Sequence, residues 1–419
     1  NSSVKDVLNL VKFRAGWGKV GNVDLYPNDV TRAEQLNYNW PIIFGKDLDN
    51  HMTGIYYDTR PNYYARWETT IQTSAGLDLS LFNNTLDVTV DWYNKKTSDL
   101  VDRIPTPAHA GIVRSPFGNV GNVINRGWEF SVNYNGTAAR GQLSYNVWAN
   151  YSYNKGYVQD YGTRKGAVKH DDPNLMSSSL LYSEANYPWY SFLVFKTDGI
   201  FRTQEEIDNY TWTNPETGAT SLIQSGAKVG DLKFVDIDNN GVINDDDRYF
   251  AGSYAPVHTY SFGGSLNWKG FDFSIMFQGV AGNYIYNGLK MMGLKGGNGG
   301  DGSGNLGADA LNTWDFNPES SKYPRLEMGV KGITNGNYTK FSDLFIEKGD
   351  YLRLKNITLG YTLPKFGKYM PGIRVYASVD NVCTITGYSG IDPEVGNYGI
   401  DRGVYPLSRF FNFGINLNF

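Results

Sequence analysis

The 419-residue sequence predicts an all-β fold, part of a large antiparallel transmembrane β-barrel with long extracellular loops. Three observations carry that expectation. Aromatic residues make up 15% of the chain (31 Tyr, 22 Phe and 10 Trp), yet mean hydropathy is polar at −0.42. Strands that alternate apolar-out and polar-in hide hydrophobicity in this way. Alternation of period two runs through much of the chain, whereas no stretch approaches the roughly 18 apolar residues of a membrane helix. Connections are short at one end of the strands and long at the other, as in outer-membrane barrels and unlike soluble sandwiches. Composition narrows the reading further. A formal charge of −4 offers no basic surplus for nucleic acid, and one Cys excludes a disulfide scaffold.

The spans are placed near residues 10–18, 69–81, 85–97, 123–135, 142–156, 258–268, 271–285, 351–363, 372–385 and 405–419. Leu86, Val88, Val90 and Trp92 oppose Asp87, Thr89 and Asp91. Leu143, Tyr145, Val147, Ala149, Tyr151 and Tyr153 oppose Ser144, Asn146, Trp148, Asn150 and Ser152. Tyr260, Phe262, Leu266 and Trp268 are followed by Phe271, Phe273, Ile275 and Phe277, and the last span alternates Phe411, Phe413, Ile415, Leu417 and Phe419 with Asn412, Asn416 and Asn418. Tight links fall at Asn83-Asn84, Asn135 to Gly141, Lys269-Gly270 and Pro364 to Gly372, and long ones at 19–68, 98–122, 157–257, 286–350 and 386–404. With these spans every tight link lies on one side. The strand-like run Trp189 to Phe195 breaks that parity if it crosses, so it is assigned to an outer elaboration. An open sheet edge in lipid leaves costly unpaired backbone groups. Residues 1–419 are therefore read as the C-terminal portion of one barrel, with earlier strands preceding Asn1.

Several segments together resemble the SusC-like (SusC/RagA) TonB-dependent transporters of the Bacteroidota outer membrane. They are Val11 to Asn22 (VKFRAGWGKVGN), Lys196 to Phe201 with Gln204 to Ile207, Gly230 to Asp236 (GDLKFVD), Gly270 to Gly279, Tyr351 to Tyr361 (YLRLKNITLGY), and Ser389 to Glu394 with Tyr405 to Arg409. The resemblance implies a 22-stranded plugged barrel whose N-terminal plug and TonB box lie outside this chain. It further implies TonB-driven import of nutrients, oligosaccharides ahead of peptides, through the outer membrane of a Gram-negative bacterium. The implied partners are a SusD-like surface lipoprotein as lid, TonB, outer-membrane lipid and the substrate. The terminal Phe419 is similar to the signal read during barrel assembly.

The sharpest local motif is Asp236-Ile237-Asp238-Asn239-Asn240-Gly241-Val242-Ile243-Asn244-Asp245-Asp246-Asp247. Its spacing matches a twelve-residue calcium loop at positions one, three, five and six, with Asp in place of Glu at twelve. Asp236, Asp238, Asn240, Asp247 and the Val242 carbonyl are the candidate Ca²⁺ ligands, with Asn244 through a water and Ile243 anchoring the loop inward. The same residues also suit an Asx-turn held by its own backbone bonds. Tyr187, Trp189 and Tyr190 read first as interface-belt or loop-core packing residues and second as flat surfaces for sugar faces or apolar peptide side chains. No catalytic constellation emerges: His51, His109, His170 and His258 are scattered and read as loop or surface residues, Cys383 reads as a small packed residue, and the Gly-rich stretch Gly293 to Gly307 lacks the Gly-Lys-Ser/Thr ending of a phosphate loop. A non-enzymatic importer is the expectation. The rivals are a soluble, extracellular, calcium-stabilised β-rich carbohydrate-binding or structural protein and, third, a glycosidase, for which no paired carboxylates stand out.

Overall fold

The computed structural model describes residues 7–22, 36–37, 56–57, 62, 64, 66–103, 116–162, 166–170, 180–295, 305–327, 335–364 and 372–418. Ten long strands dominate them: β1 (Leu8–Asn22), β2 (Glu68–Leu81), β3 (Leu86–Arg103), β4 (Phe117–Ala138), β5 (Leu143–Asp160), β6 (His258–Trp268), β7 (Phe271–Ala281), β8 (Tyr351–Thr362), β9 (Gly372–Thr386) and β10 (Phe410–Asn418). The chain forms two compact units. The first, residues 1–130, 154–167 and 184–188, holds β1 to β3, the start of β4 and the end of β5; the second holds the rest of β4 and β5 and all of β6 to β10.

Within the first unit β1 pairs with β2 and β2 with β3. Within the second, β5 to β10 pair in chain order, each antiparallel to the next. Alternation sets the two faces. Phe13 and Trp17 of the first unit, and Phe262, Leu266, Trp268, Phe271, Leu359, Phe413 and Ile415 of the second, stand exposed on the apolar face. The opposite face is polar and cross-linked: Asn146 donates to Asn133 and Asn135, Ser131 to Asn150, and Asn412 to Asp380. Where a glycine leaves a gap on this face, a cross-strand aromatic covers it, Trp148 opposite Gly263 and Tyr376 opposite Gly414.

The tight links obey local backbone chemistry. Between β2 and β3, Asn83 and Asn84 take φ of 57° and 62°, which Asn tolerates better than most residues. Between β6 and β7 the two-residue turn puts Lys269 at φ 48° and Gly270 at 87°, the pair of positive angles that matches strand twist in a hairpin.

Several boundaries depart from expectation. At the long-loop end β1 runs on to Asn22, β3 to Arg103 and β5 to Asp160, and β4 starts at Phe117. At about 3.3 Å per residue the 22 residues of β4 extend about 70 Å, far more than a bilayer requires. Side-chain bonds hold this extension where alternation is weak: Asn122 to Asp160 at 2.6 Å, Tyr161 to Asp102 at 2.8 Å, and Asn119 to the Asp99 carbonyl at 2.6 Å. The expected span 271–285 is two strands, since Gly282 (φ 83°) turns the chain into the short strand Tyr284–Asn287. The last span begins at Phe410 rather than 405, because Leu407 donates its amide to Asp392 instead of a neighbouring strand. Cys383 is exposed rather than packed; its register opposite Leu354 puts it on the apolar face. Phe419, His51 and His109 lie outside the described residues.

Beyond the long strands the second unit carries a smaller elaboration. Ser191–Phe195 pairs with Arg248–Ser253 and with Leu181–Ser183, away from the ten long strands as parity required. Leu180, Leu181, Phe192, Val194, Tyr286, Phe345 and Ile400 form its core. Burial of each such side chain contributes about 1.5–3 kcal/mol. A second cluster, Phe195, Leu232 and Phe234, lies beneath the acidic loop.

Candidate functional site

The acidic loop follows the strand Leu232–Phe234 and ends in a short turn, Asp245–Asp247. Carboxylate oxygens of Asp236, Asp238 and Asp247 lie within 4.8 Å of one another. Ligands on opposite sides of a Ca²⁺ ion at about 2.4 Å each are about 4.8 Å apart, so the three can reach one centre. Gly241 takes φ 85°, and a Cβ there would lie 2.6 Å from the Trp212 ring. Ile243 packs inward against Phe195, Leu232 and Phe234, as the motif predicts. Partial desolvation, reinforced by the charges of Asp247 and Asp236, raises the Asp238 carboxyl above its ordinary value against the pull of the Asn240 amide.

The same oxygens also take part in an Asx network. Asp236 accepts from the Asn240 and Gly241 amides at 3.1 and 2.8 Å, and the fully buried Asp247 accepts from Ile237 and Asn244 at 2.8 and 2.7 Å. Asn240 accepts from the Val242 amide and donates to Asp238; Asn244 caps the Asp245–Asp247 turn through the Asp246 amide. The two alternatives open in the sequence thus coexist geometrically: the backbone bonds pre-form the loop, and three carboxylates converge within it.

The aromatic candidates sit in different settings. Tyr187 is 42% exposed, with its backbone tied to Val158 and Glu184. Tyr190 is stacked on Tyr398 at 4.4 Å and tilted against His170 at 4.0 Å, and Trp189 meets Tyr190 edge-on at 5.8 Å. His170, expected at a surface, is buried against these rings and shares a 2.6 Å bond with Ser183.

Among the described residues, charged constellations that escaped sequence reasoning include three that tie strands or loops together. On the polar face of the first unit Arg14 donates to Asp78 at 2.8 Å and to Asp91 at 2.9 Å, reaching across Gly76, which stands opposite both Arg14 and Asp91. The second unit repeats the device: Arg374 grips Asp272 with two nitrogens across Gly360. The third is the 1%-exposed Arg353 of β8. It pairs with Asp392 at 2.8 Å and with Glu394, and donates to Thr384 at 2.8 Å, while Tyr351 donates to Glu394 at 2.6 Å. Nearby, Glu347 accepts from Ser389, Asn287 and Lys290 at 2.6 to 2.9 Å. Burial pushes the Glu347 carboxyl up, but these donors outweigh it and hold the group below its ordinary value. The usable sequence signal was the lone Arg in the YLRLKN strand, with no acid on the same strand to balance it.

Comparison with known proteins follows this geometry. Residues 6–382 match the family model described as TonB dependent receptor-like, beta-barrel. The chain is 30% identical over 422 residues to TonB-dependent receptor P3 of Formosa agariphila, covering 97% of this chain and 39% of the relative. It is 27% identical over 431 residues to TonB-dependent receptor SusC of Bacteroides thetaiotaomicron, covering 99% and 38%. Among solved structures, that of the RagAB peptide transporter superposes with a TM-score of 0.74 at 25% identity, over 99% of this chain and 41% of that one. The chain thus spans about two fifths of the length of the relatives it matches.

Proposed function

The chain belongs to the TonB-dependent receptor β-barrel family and is SusC/RagA-like, and from that membership we propose that it serves active import of oligomeric nutrients through the outer membrane of a Bacteroidota bacterium. The observation that carries this reading is the family match over residues 6–382, laid on strands with one apolar and one polar face. Apolar side chains meet lipid, and the Asn, Ser and charged residues of the other face line a hydrated interior. Energy would enter through TonB and the proton-motive force, and a SusD-like lipoprotein would close the outer mouth. Oligosaccharides and peptides are the two substrate classes in view; the second is the class that the matched RagAB peptide transporter is named for. No covalent chemistry is needed. The family match favours this importer over a soluble, calcium-stabilised protein.

Two local roles accompany it. Ca²⁺ held by Asp236, Asp238 and Asp247, with Asn240, Val242 and Asn244 shaping the loop, would brace the outer elaboration; the 4.8 Å clustering of the three carboxylates supports this. Tyr187, Trp189 and Tyr190 would contribute aromatic surface on the substrate's route.

Uptake by the native cell tests the whole reading. Deleting the gene for the full-length protein should abolish growth on one class of oligomer, leave growth on its monomers intact, and be mimicked by a proton uncoupler in short-term uptake. Oligomer uptake that continues unchanged without the gene, or that ignores the uncoupler, rejects it.

A further inference from the structure

The apolar face of the first unit carries a row of cations at the long-loop end of its strands. Phe13, Trp17 and Lys19 alternate outward on β1, and the ladder continues the Lys19 row through Ile71 of β2 to Lys96 of β3. On β4 Arg126 is exposed in line with Trp128 and Phe130, and its guanidinium carbon lies 5.5 Å from the centroid of the Tyr157 ring on β5. A Cβ at Gly156 would run into the Asn125 side chain, so these two share the polar face and the exposed Lys155 stands outward beside Arg126. Also on the polar face, Tyr93 donates to Asn154 at 3.1 Å, which brings the neighbouring Lys96 and Lys155 to one level.

Charge on this face has one sign and one location. Between the tight-turn end and the row, the acids of these strands, Asp78, Asp87, Asp91 and Glu129, all alternate to the other face. Among the described residues none of the four cations is ion-paired. Lys96 is ten residues on from Leu86, about 33 Å along the strand and about 25 Å along the membrane normal at a tilt of about 40°, the height of the apolar band. Lys and Arg can anchor a barrel at either water interface by reaching past the hydrocarbon. In the first unit the tight-turn end, with Phe82, Asn83 and Asn84, shows no such cation among the described residues. A row confined to one interface calls for an anion confined to one leaflet.

On the importer reading the long-loop end meets the outer leaflet, whose glycolipid carries phosphate on its headgroup sugars. We propose that Lys19, Lys96, Arg126 and Lys155 form a binding site for that phosphorylated headgroup, with its acyl chains lying over Phe13, Trp17 and Trp128 below. The planar guanidinium of Arg126 gives a phosphate two parallel bonds, and packing on Tyr157 holds it extended for them. The three lysines add point charges beside it. The site rests on the importer reading for its orientation alone.

The test uses the full-length protein in detergent, incubated with phosphorylated lipid A, with the same lipid dephosphorylated, and with inorganic phosphate as competitor, the retained lipid being counted by native mass spectrometry. Heat-modifiable migration confirms that each variant remains a folded barrel. Phosphorylated lipid A should be retained at least about tenfold better than the dephosphorylated form, as expected of several cations worth about fivefold each. Lys96→Gln combined with Arg126→Gln and Lys155→Gln should remove that preference, whereas Lys96→Arg with Lys155→Arg should keep it. If the triple variant fails to fold, Arg126→Gln alone substitutes for it and should cost about fivefold. Equal retention of the two lipids, or a preference indifferent to the Gln substitutions, overturns the proposal. Displacement of the lipid by millimolar inorganic phosphate also overturns it, since free anion would then be the ligand. Energised uptake separates the two readings: a lipid preference that follows these variants without TonB-dependent uptake upholds the site and rejects the importer, and uptake without any preference does the reverse.

Discussion

At the scale of the residue, the repeated use of glycine under an ion pair is the most constrained feature. Gly360 stands opposite Asp272 on β7 and diagonal to Arg374 on β9, and a Cβ built on it would lie 2.5 Å from an Asp272 oxygen and 2.7 Å from an Arg374 nitrogen. Gly76 plays the same part directly opposite both Arg14 and Asp91, where the added atom would meet an Asp91 oxygen at 2.2 Å. The absence of a side chain lets a guanidinium reach two strands away and bind a carboxylate with two parallel bonds, geometry that Lys cannot supply. Gly360→Ala should therefore cost about 1–3 kcal/mol of unfolding free energy, the usual range for overpacking. The cause is specific, so the cost should fall by more than half in an Asp272→Ala background. Equilibrium unfolding of the four members of this double-mutant cycle decides the matter; a cost equal in both backgrounds would mean that strand propensity, and not the ion pair, makes the glycine necessary.

At the scale of the element, the acidic loop joins two behaviours that a bound cation would separate. Its backbone bonds pre-form the loop, but three carboxylates within 4.8 Å repel one another unless something positive stands between them. Chelation should lower amide protection of Asn240 to Asn244 about tenfold and leave the β8 and β9 amides unchanged, while Asp236→Ala should make the loop insensitive to chelator. Hydrogen exchange reads both, and identical protection with and without chelator would remove Ca²⁺ from the account. This loop was legible in the sequence because all its chemistry lies within twelve residues, and the strand faces were legible because period two is a local signal. The Arg353 site was not read from the sequence: Asp392 is 39 residues further on, and only the β8–β9 register and the segment beyond it bring them together. Strand ends were least legible at the long-loop side, since polar cross-links such as Asn122 to Asp160 replace alternation there. Tyr190 reads as a packing residue ahead of a sugar platform, and the sequence does not show His170 and Tyr398 against it.

At the scale of the whole molecule, the two ends of β6 and β7 carry aromatic and polar side chains of the kind enriched at membrane–water interfaces. Near the tight turns Phe271 packs on Tyr361 at 4.5 Å, and the Lys269 ammonium sits 5.3 Å from the Trp268 ring centroid. At the other end of β6 the Tyr151 hydroxyl bonds His258 at 2.7 Å, and Tyr153 lies 5.5 Å from the same ring. Ten steps separate His258 from Trp268, about 33 Å along a strand and about 25 Å along the normal at a tilt of about 40°, the height of the apolar band in outer-membrane barrels. Only aliphatic and aromatic side chains face outward between these belts on β7, namely Phe273, Ile275 and Phe277. Depth along β7 should therefore set the cost of a buried charge. Ile275→Arg, near the middle, should destabilise the full-length barrel in phospholipid vesicles by about 2–4 kcal/mol, whereas Phe271→Arg, at the belt, should cost about 0–1 kcal/mol. A soluble sheet stacked on another layer would penalise both in proportion to burial. Phe271 is 49% exposed, so the gradient with depth, rather than either value alone, separates lipid from protein as the neighbour of this face. Equal costs at the two positions would refute the membrane orientation and, with it, the placement of the acidic loop on the outer side.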